Sequence, residues 1–346
     1  MKYSDKYFRD FLTALLAAIL FCGGALMWKA RDELRDLPPL PELYLPISPS
    51  YISGDRTMST DHALFYFGIF GWGKRIRQAD ILLMGSSHVE FGLSAEQLSA
   101  ILEQRLGRHY NILNLGRGHG DSVAFTRALI DHYRLRNKII ITDMFDPYEG
   151  ELSPYASMTL NYSLVRAYYS VINDTLDIWV QGFKDMLRMP DLQFEHGKIT
   201  WNRSLQFLTT RHSASGDVNY VFENRDNRYA NKNPLPENIP EEKRFPLWGG
   251  NDNLTYLEQD WCIARRLQCF YTAIPWPPVS VRQADSLAAE HHLSYIPFPR
   301  DGLTYWDTDH LDQTGRDIAT KRLADKLIPL LDQANKSRGS VKVNQP

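Results

Sequence analysis

Three short stretches and one later tetrapeptide hold residue types that perform acyl-transfer chemistry. Gly85-Ser86-Ser87-His88 directly follows an apolar run, Ile81–Met84. The glycine permits a tight turn, and a serine there can project its hydroxyl at a strand end. A serine hydroxyl needs a neighbouring base before it attacks a carbonyl. Asp307-Thr308-Asp309-His310 supplies one near the far end of the chain. Histidine is the natural base at neutral pH. A carboxylate beside it fixes the tautomer and stabilises the imidazolium. Asp307, three residues before His310, can share one side of a turn with it. Asp309 reads as a loop residue. His310 with two aspartates could instead bind a metal, but no further His or Cys cluster completes such a site, so the prediction is no metal and no cofactor.

Two further stretches offer groups for a developing oxyanion. Asn114-Leu115-Gly116-Arg117-Gly118 follows the next apolar run, and the Gly116 backbone N–H could approach the reacting centre. An ordinary strand-helix turn explains the same glycines. Gly249-Gly250-Asn251-Asp252 places Asn251 just before a helical pattern. Asn251 is either an oxyanion donor or part of a helix cap, and the residues alone leave both open.

The elements that must position these groups alternate. Short apolar runs at 81–84, 110–115, 138–142, 269–274 and 293–296 read as buried strands. Helical patterns at 94–106, 121–134, 253–266, 281–291 and 313–331 separate or follow them. Ser94 and Gln97 predict a capping box at the first helix. This order predicts a three-layer α/β/α domain on a mainly parallel five-stranded sheet, with the site at the carboxyl ends of the strands. Each candidate follows a predicted strand or precedes a predicted helix. Residues 147–250 interrupt the alternation with Trp179, Trp201, Trp248 and many polar residues. They read as an insertion, either a cap over the site or a separate subdomain.

The N-terminal part has another character. Residues 11–28 carry no charge and span roughly 27 Å as a helix, close to a bilayer core. They predict one transmembrane anchor, with a cleaved signal peptide as the rival reading. Residues 37–51 are proline-rich and read as a stiff spacer. The expected division is therefore 1–35 anchor, 36–78 spacer and lead-in, 79–335 catalytic domain with the 147–250 insertion, and 336–346 flexible tail.

The net charge of -2 gives nucleic-acid binding no electrostatic support. Aromatic residues make up 12% of the chain. Most must serve the core, though such side chains also suit sugar rings. The cysteines are Cys22, Cys262 and Cys269. The last two could form a disulfide in an oxidising compartment or remain buried thiols.

Taken in order, GSSH with Ser87, NLGRG with Gly116, and DTDH with Asp307 and His310 resemble the blocks of the SGNH (GDSL-like) hydrolase superfamily. The resemblance covers about residues 80–331 apart from the insertion. It implies a flavodoxin-like domain with Ser87 as nucleophile, His310 as general base and Asp307 orienting it. It also implies the Ser87 and Gly116 amides in the oxyanion hole, and an asparagine in a third block. The third block departs: after KIIIT the chain reads Asp143-Met144-Phe145-Asp146, so Asn251 would have to serve. Anchor, spacer and motif order resemble membrane-anchored bacterial envelope members, DltD-like proteins and exopolysaccharide O-acetylation proteins. That implies a periplasmic or extracytoplasmic domain held on the inner membrane. It implies an ester-bearing glycan as substrate and a multispanning acyltransferase as partner. The expected function is serine esterase or O-acetyltransferase chemistry on an envelope polysaccharide. A catalytically degenerate scaffold of an acylation complex is the first alternative, and a lipid-directed esterase the second.

Overall fold

The computed structural model describes residues 13–17, 20–21, 50–53, 58–118, 123–144, 151–186, 191–195, 198–202, 208–221, 233–234, 259–275, 281–305 and 310–341. The chain divides into two compact units. One comprises Leu45–Asp174 and Gln206–Pro346, the other Met1–Tyr44 and Thr175–Leu205.

The larger unit is built on five strands: β1 (Ile81–Met84), β2 (Ile112–Asn114), β3 (Ile139–Asp143), β4 (Gln268–Thr272) and β5 (Tyr295–Ile296). They form one sheet in the order β5-β4-β3-β1-β2, with every pairing parallel. This 2-1-3-4-5 order is that of flavodoxin-like doubly wound sheets. Near-continuous Ile, Leu and Val runs form such strands because both faces are covered. Alternate residues take opposite faces. Ile81, Leu83, Ile112, Ile141, Phe270 and Ile296 share one core with Leu98 and Leu102 of a first flanking helix and Leu323 and Leu327 of another. Cys269 points to the other face, where Cys262 of the helix Gln259–Ala264 is disulfide-bonded to it.

Helices follow the strands as the periodicity predicts, with the short helix Ser87–Gly92 an unexpected addition after β1 and residues 253–258 of the expected fourth helical pattern outside the described residues. We label α1 (Ser87–Gly92), α2 (Ala95–Leu106), α3 (Val123–Tyr133), α4 (Gln259–Ala264), α5 (Val281–Glu290) and α6 (Gln313–Val341). α6 runs ten residues past its expected end, into the stretch expected as tail. Leu331, the last residue of the expected helix, is a core residue. The capping box at α2 is half formed. Ser94 Oγ accepts from Gln97 N at 3.1 Å, but Gln97 Oε1 has no partner among the described residues. Asp217 takes the exposed donors instead, accepting from Ala95 N at 2.7 Å, Glu96 N at 3.0 Å and Ser94 Oγ at 2.8 Å. Burial pushes the Asp217 carboxyl up, against the opposing pull of these donors.

The 147–250 stretch holds more regular structure than its sequence announced. It contains helices Pro154–Leu160 and Leu164–Met186 and a hairpin, Asp191–Glu195 with Lys198–Asn202, of which the hairpin and residues 175–186 belong to the smaller unit. Within the larger unit, Leu208–His212 pairs antiparallel with both Val218–Val221 and Ser50–Ser53. Part of the expected spacer and part of the expected insertion thus form one small sheet. The turn between Leu208–His212 and Val218–Val221 lies against β2. Asn114 N donates to Ser215 O at 2.8 Å, and a Cβ on Gly216 would sit 2.0 Å from Asn114 O.

Of the expected anchor, residues 13–17 and 20–21 are described, as helix, and the remainder lies outside the described residues. Among the described residues no helix is long and apolar enough to cross a membrane.

Candidate active site

β1 ends at Met84, and Gly85 turns the chain at φ 143°. A Cβ there would meet Val89 Cγ2 at 2.9 Å and Asp143 Cβ at 3.1 Å. Both the backbone angle and the close approach therefore require glycine. Ser86 caps the six-residue helix α1, its Oγ accepting from His88 N at 3.3 Å. Ser87 is the first helical residue and is buried.

His310 reaches Ser87 from the other end of the domain. Its Nε2 lies 2.9 Å from Ser87 Oγ, a hydrogen bond between residues 223 positions apart. Two anchors hold its loop. Leu311 is buried and bridges to Tyr305. Asp312 caps α6, its Oδ1 accepting from Gly315 N at 2.7 Å and from Thr304 Oγ1 at 2.6 Å. A Cβ on Gly315 would lie 2.2 Å from Thr304 O, so this glycine is needed for the loop to close.

The His310 ring touches two others, both from α1. Phe91 meets it edge-on at 5.3 Å and 83°, and His88 stacks on it at 5.7 Å and 25°. His88 Nδ1 lies 3.0 Å from Ser86 Oγ and 3.8 Å from Asp143 Oδ2. Asp143 ends β3 and is buried. β1 and β3 are the neighbours from which the sheet order runs in opposite directions, and ligands of open α/β sheets bind at that crevice.

Gly116 does something other than expected. Its N–H donates to Asn114 Oδ1 at 2.9 Å, so the amide offered as an oxyanion donor is engaged by Asn114. A Cβ at Gly116 would fall 2.4 Å from Glu90 N. Glycine is required because the loop after β2 lies directly on α1. Asn114 completes the joint, its Nδ2 donating to Leu93 O at 2.9 Å and Val89 O at 3.2 Å. Asp307 and Asn251 lie outside the described residues, as does Asp309.

Sequence reasoning missed Arg211. It is fully buried and binds α1, the loop after β2 and its own turn together. Nη2 donates to Glu90 Oε1 at 2.6 Å and to Gly116 O at 2.8 Å; Nε donates to Asp61 Oδ2 at 3.1 Å; Nη1 donates to Gly216 O at 2.8 Å. Arg117 is buried as well, its guanidinium 4.2 Å from the Phe125 ring centroid, and its N–H donates to Gly85 O at 2.9 Å. No periodicity announces such residues. A buried arginine looks like a surface one until its partners are located.

No family model, curated protein or solved structure matches the chain. The functional reading therefore rests on this geometry. A buried serine at a strand-to-helix turn, hydrogen-bonded to an imidazole, is an arrangement that can transfer a proton from hydroxyl to nitrogen and so activate the oxygen.

Proposed function

We propose that the protein is a serine esterase or O-acyltransferase of the SGNH type, acting through an acyl-Ser87 intermediate. The observation that carries this reading is the 2.9 Å contact between Ser87 Oγ and His310 Nε2 at the sheet's switch point. His310 takes the hydroxyl proton as Ser87 Oγ attacks an ester carbonyl. The tetrahedral intermediate collapses as the imidazolium returns that proton to the leaving alkoxide. Water or a sugar hydroxyl then attacks the acyl-serine, again losing its proton to His310, and the bond from the acyl carbon to Ser87 Oγ breaks as the imidazolium returns that proton to the serine, releasing the acid or the new ester. The resemblance assigns Asp307 to orient His310, and Asn251 to the oxyanion.

We place this chemistry on an acylated, chiefly O-acetylated, polysaccharide of the cell envelope, in a domain tethered by residues 11–28 on the extracytoplasmic side. The Cys262–Cys269 disulfide supports an oxidising compartment. The multispanning acyltransferase partner belongs to the same proposal.

A second reading, a scaffold with a degenerate SGNH fold, is favoured by two observations. The Gly116 amide is engaged by Asn114, and β3 ends on Asp143, not asparagine. Hydrolysis of acetylated glycan and of short aryl esters by the full-length protein separates the two. Esterase chemistry predicts turnover that falls at least about a thousandfold in Ser87→Ala. Equal turnover in Ser87→Ala, or none in the wild type, sinks the enzyme reading in favour of the scaffold.

A further inference from the structure

α1 supplies more than the nucleophile. Ser87, His88 and Phe91 lie on this one helix, and the last two are the rings that touch His310. Ser86, at the cap of the same helix, connects His88 to the end of β3. Ser86 Oγ lies 3.0 Å from His88 Nδ1 and 3.5 Å from Asp143 Oδ2. Ser86 and Asp143 both approach the same ring nitrogen, so the three do not form a linear serine-histidine-aspartate relay. The Ser86 oxygen also accepts from His88 N as the cap of α1. The cluster is therefore engaged in holding the start of the helix, and its geometry calls for a role other than nucleophilic attack.

We propose that His88, held by Ser86 and Asp143, is a positioning residue for His310. Its ring forms the wall that, with Phe91, keeps the His310 imidazole in the plane from which Nε2 meets Ser87 Oγ. The assignment rests on the esterase reading for the role of His310. The physical reason is orientation. A base on a loop loses proton-transfer rate when its ring can rotate, and two ring contacts from the helix bearing the nucleophile tie the base to the atom it must deprotonate. Asp143 helps to fix the wall itself, its Oδ2 lying 3.8 Å from His88 Nδ1 and 3.5 Å from Ser86 Oγ. Among the described residues, the groups facing this cluster include Ser86 at the cap of α1, Ser87 on α1, Asp143 at the end of β3, and His310 on the loop before α6. Glu90, one turn along α1, is paired with Arg211. Tyr295 on β5 feels Asp143 as well, its hydroxyl being pushed up chiefly by burial.

The test is the rate of covalent labelling at Ser87 by a fluorophosphonate, read on the full-length protein by mass spectrometry. In His88→Ala the rate should drop about tenfold or more, and His88→Phe, which restores a ring wall without the Nδ1 contact, should recover part of that loss. In Asp143→Asn the rate should drop as well, about threefold or more, because His88 loses the carboxylate that lies 3.8 Å from its Nδ1. A merely structural His88 would lower melting temperature without slowing the labelling of folded protein. Rates within about twofold of wild type in folded variants overturn the proposal. If His88→Ala does not fold, Asp143→Asn decides by itself: slowed labelling supports the proposal, and a wild-type rate overturns it. Absence of wild-type labelling overturns the esterase reading and this assignment with it, whereas wild-type labelling with unchanged variants overturns this assignment alone.

Discussion

Arg211 illustrates how a single residue far from the chemistry can decide whether Ser87 is presented at all. Its guanidinium pairs with Glu90 on α1 and with Asp61 on the helix Met58–Phe67, and also binds the Gly116 carbonyl. All three charged side chains are buried. Removing one member of a buried ion-pair network leaves its partners uncompensated, which typically costs about 3–5 kcal/mol. Arg211→Ala should therefore lower stability by that order in chemical denaturation and diminish Ser87 labelling at temperatures where the variant is partly unfolded. A change below about 1 kcal/mol would show the network to be energetically idle. Gly116 makes a sharper steric case. Gly116→Ala forces a carbon to within 2.4 Å of Glu90 N, so α1 must shift. Loss of labelling with retained secondary structure by circular dichroism is the expected result. The pairing of Ser87 with His310 was legible at this scale because serine after a glycine turn, and histidine after aspartate, carry chemistry in their types. Arg211 and Asp217 were not, since, Gly216 apart, the partners of their side chains are 95 to 150 and 121 to 123 positions away respectively.

At the scale of elements, the alternation of apolar runs and amphipathic patterns reported the five strands and α2, α3, α4, α5 and α6, but not the short α1 that carries Ser87. Buried parallel strands and one-sided helices both leave a period in the sequence. The small sheet of Ser50–Ser53, Leu208–His212 and Val218–Val221 left none that could be read, because its strands are short and come from regions far apart in the chain. Helix junctions are held by polar contacts that the period also omits. Tyr133 on α3 donates to Phe65 O at 2.5 Å, joining α3 to the helix Met58–Phe67. Its hydroxyl is pushed up to about 12, mainly by burial. In the unfolded chain a tyrosine ionises near pH 10. Between about pH 10 and 12 the unfolded chain can therefore ionise Tyr133 while the fold cannot, and stability contributed by the neutral phenol is lost as pH rises through that window. Tyr133→Phe should melt lower than wild type at pH 8–9, and the difference should narrow above pH 10. A constant difference across that range contradicts this account of the junction.

For the whole molecule, the sheet order 2-1-3-4-5 explains why residues 223 positions apart meet: the closing helix α6 packs on α2, and its leading loop returns His310 to the strand ends. The disulfide pins α4 to β4 beneath this arrangement. Cross-linking Cys262 to Cys269 closes a short loop, for which chain entropy suggests about 2–3 kcal/mol. Reduction should lower the melting temperature by several degrees without changing the labelling profile of Ser87, because neither cysteine touches the site. An unchanged melting temperature after verified reduction would show that the cross-link adds no stability. The division into two compact units was not readable, because residues 175–205 separate from their neighbours through contacts and not through composition.

The central claim is that His310 activates Ser87. It is tested most directly by locating the adduct after treating full-length wild type and His310→Ala with a fluorophosphonate at neutral pH. A single adduct on Ser87 in the wild type, formed at least about a hundredfold more slowly in folded His310→Ala, is the predicted result. An adduct on another serine, or equal rates in the two proteins, would contradict it.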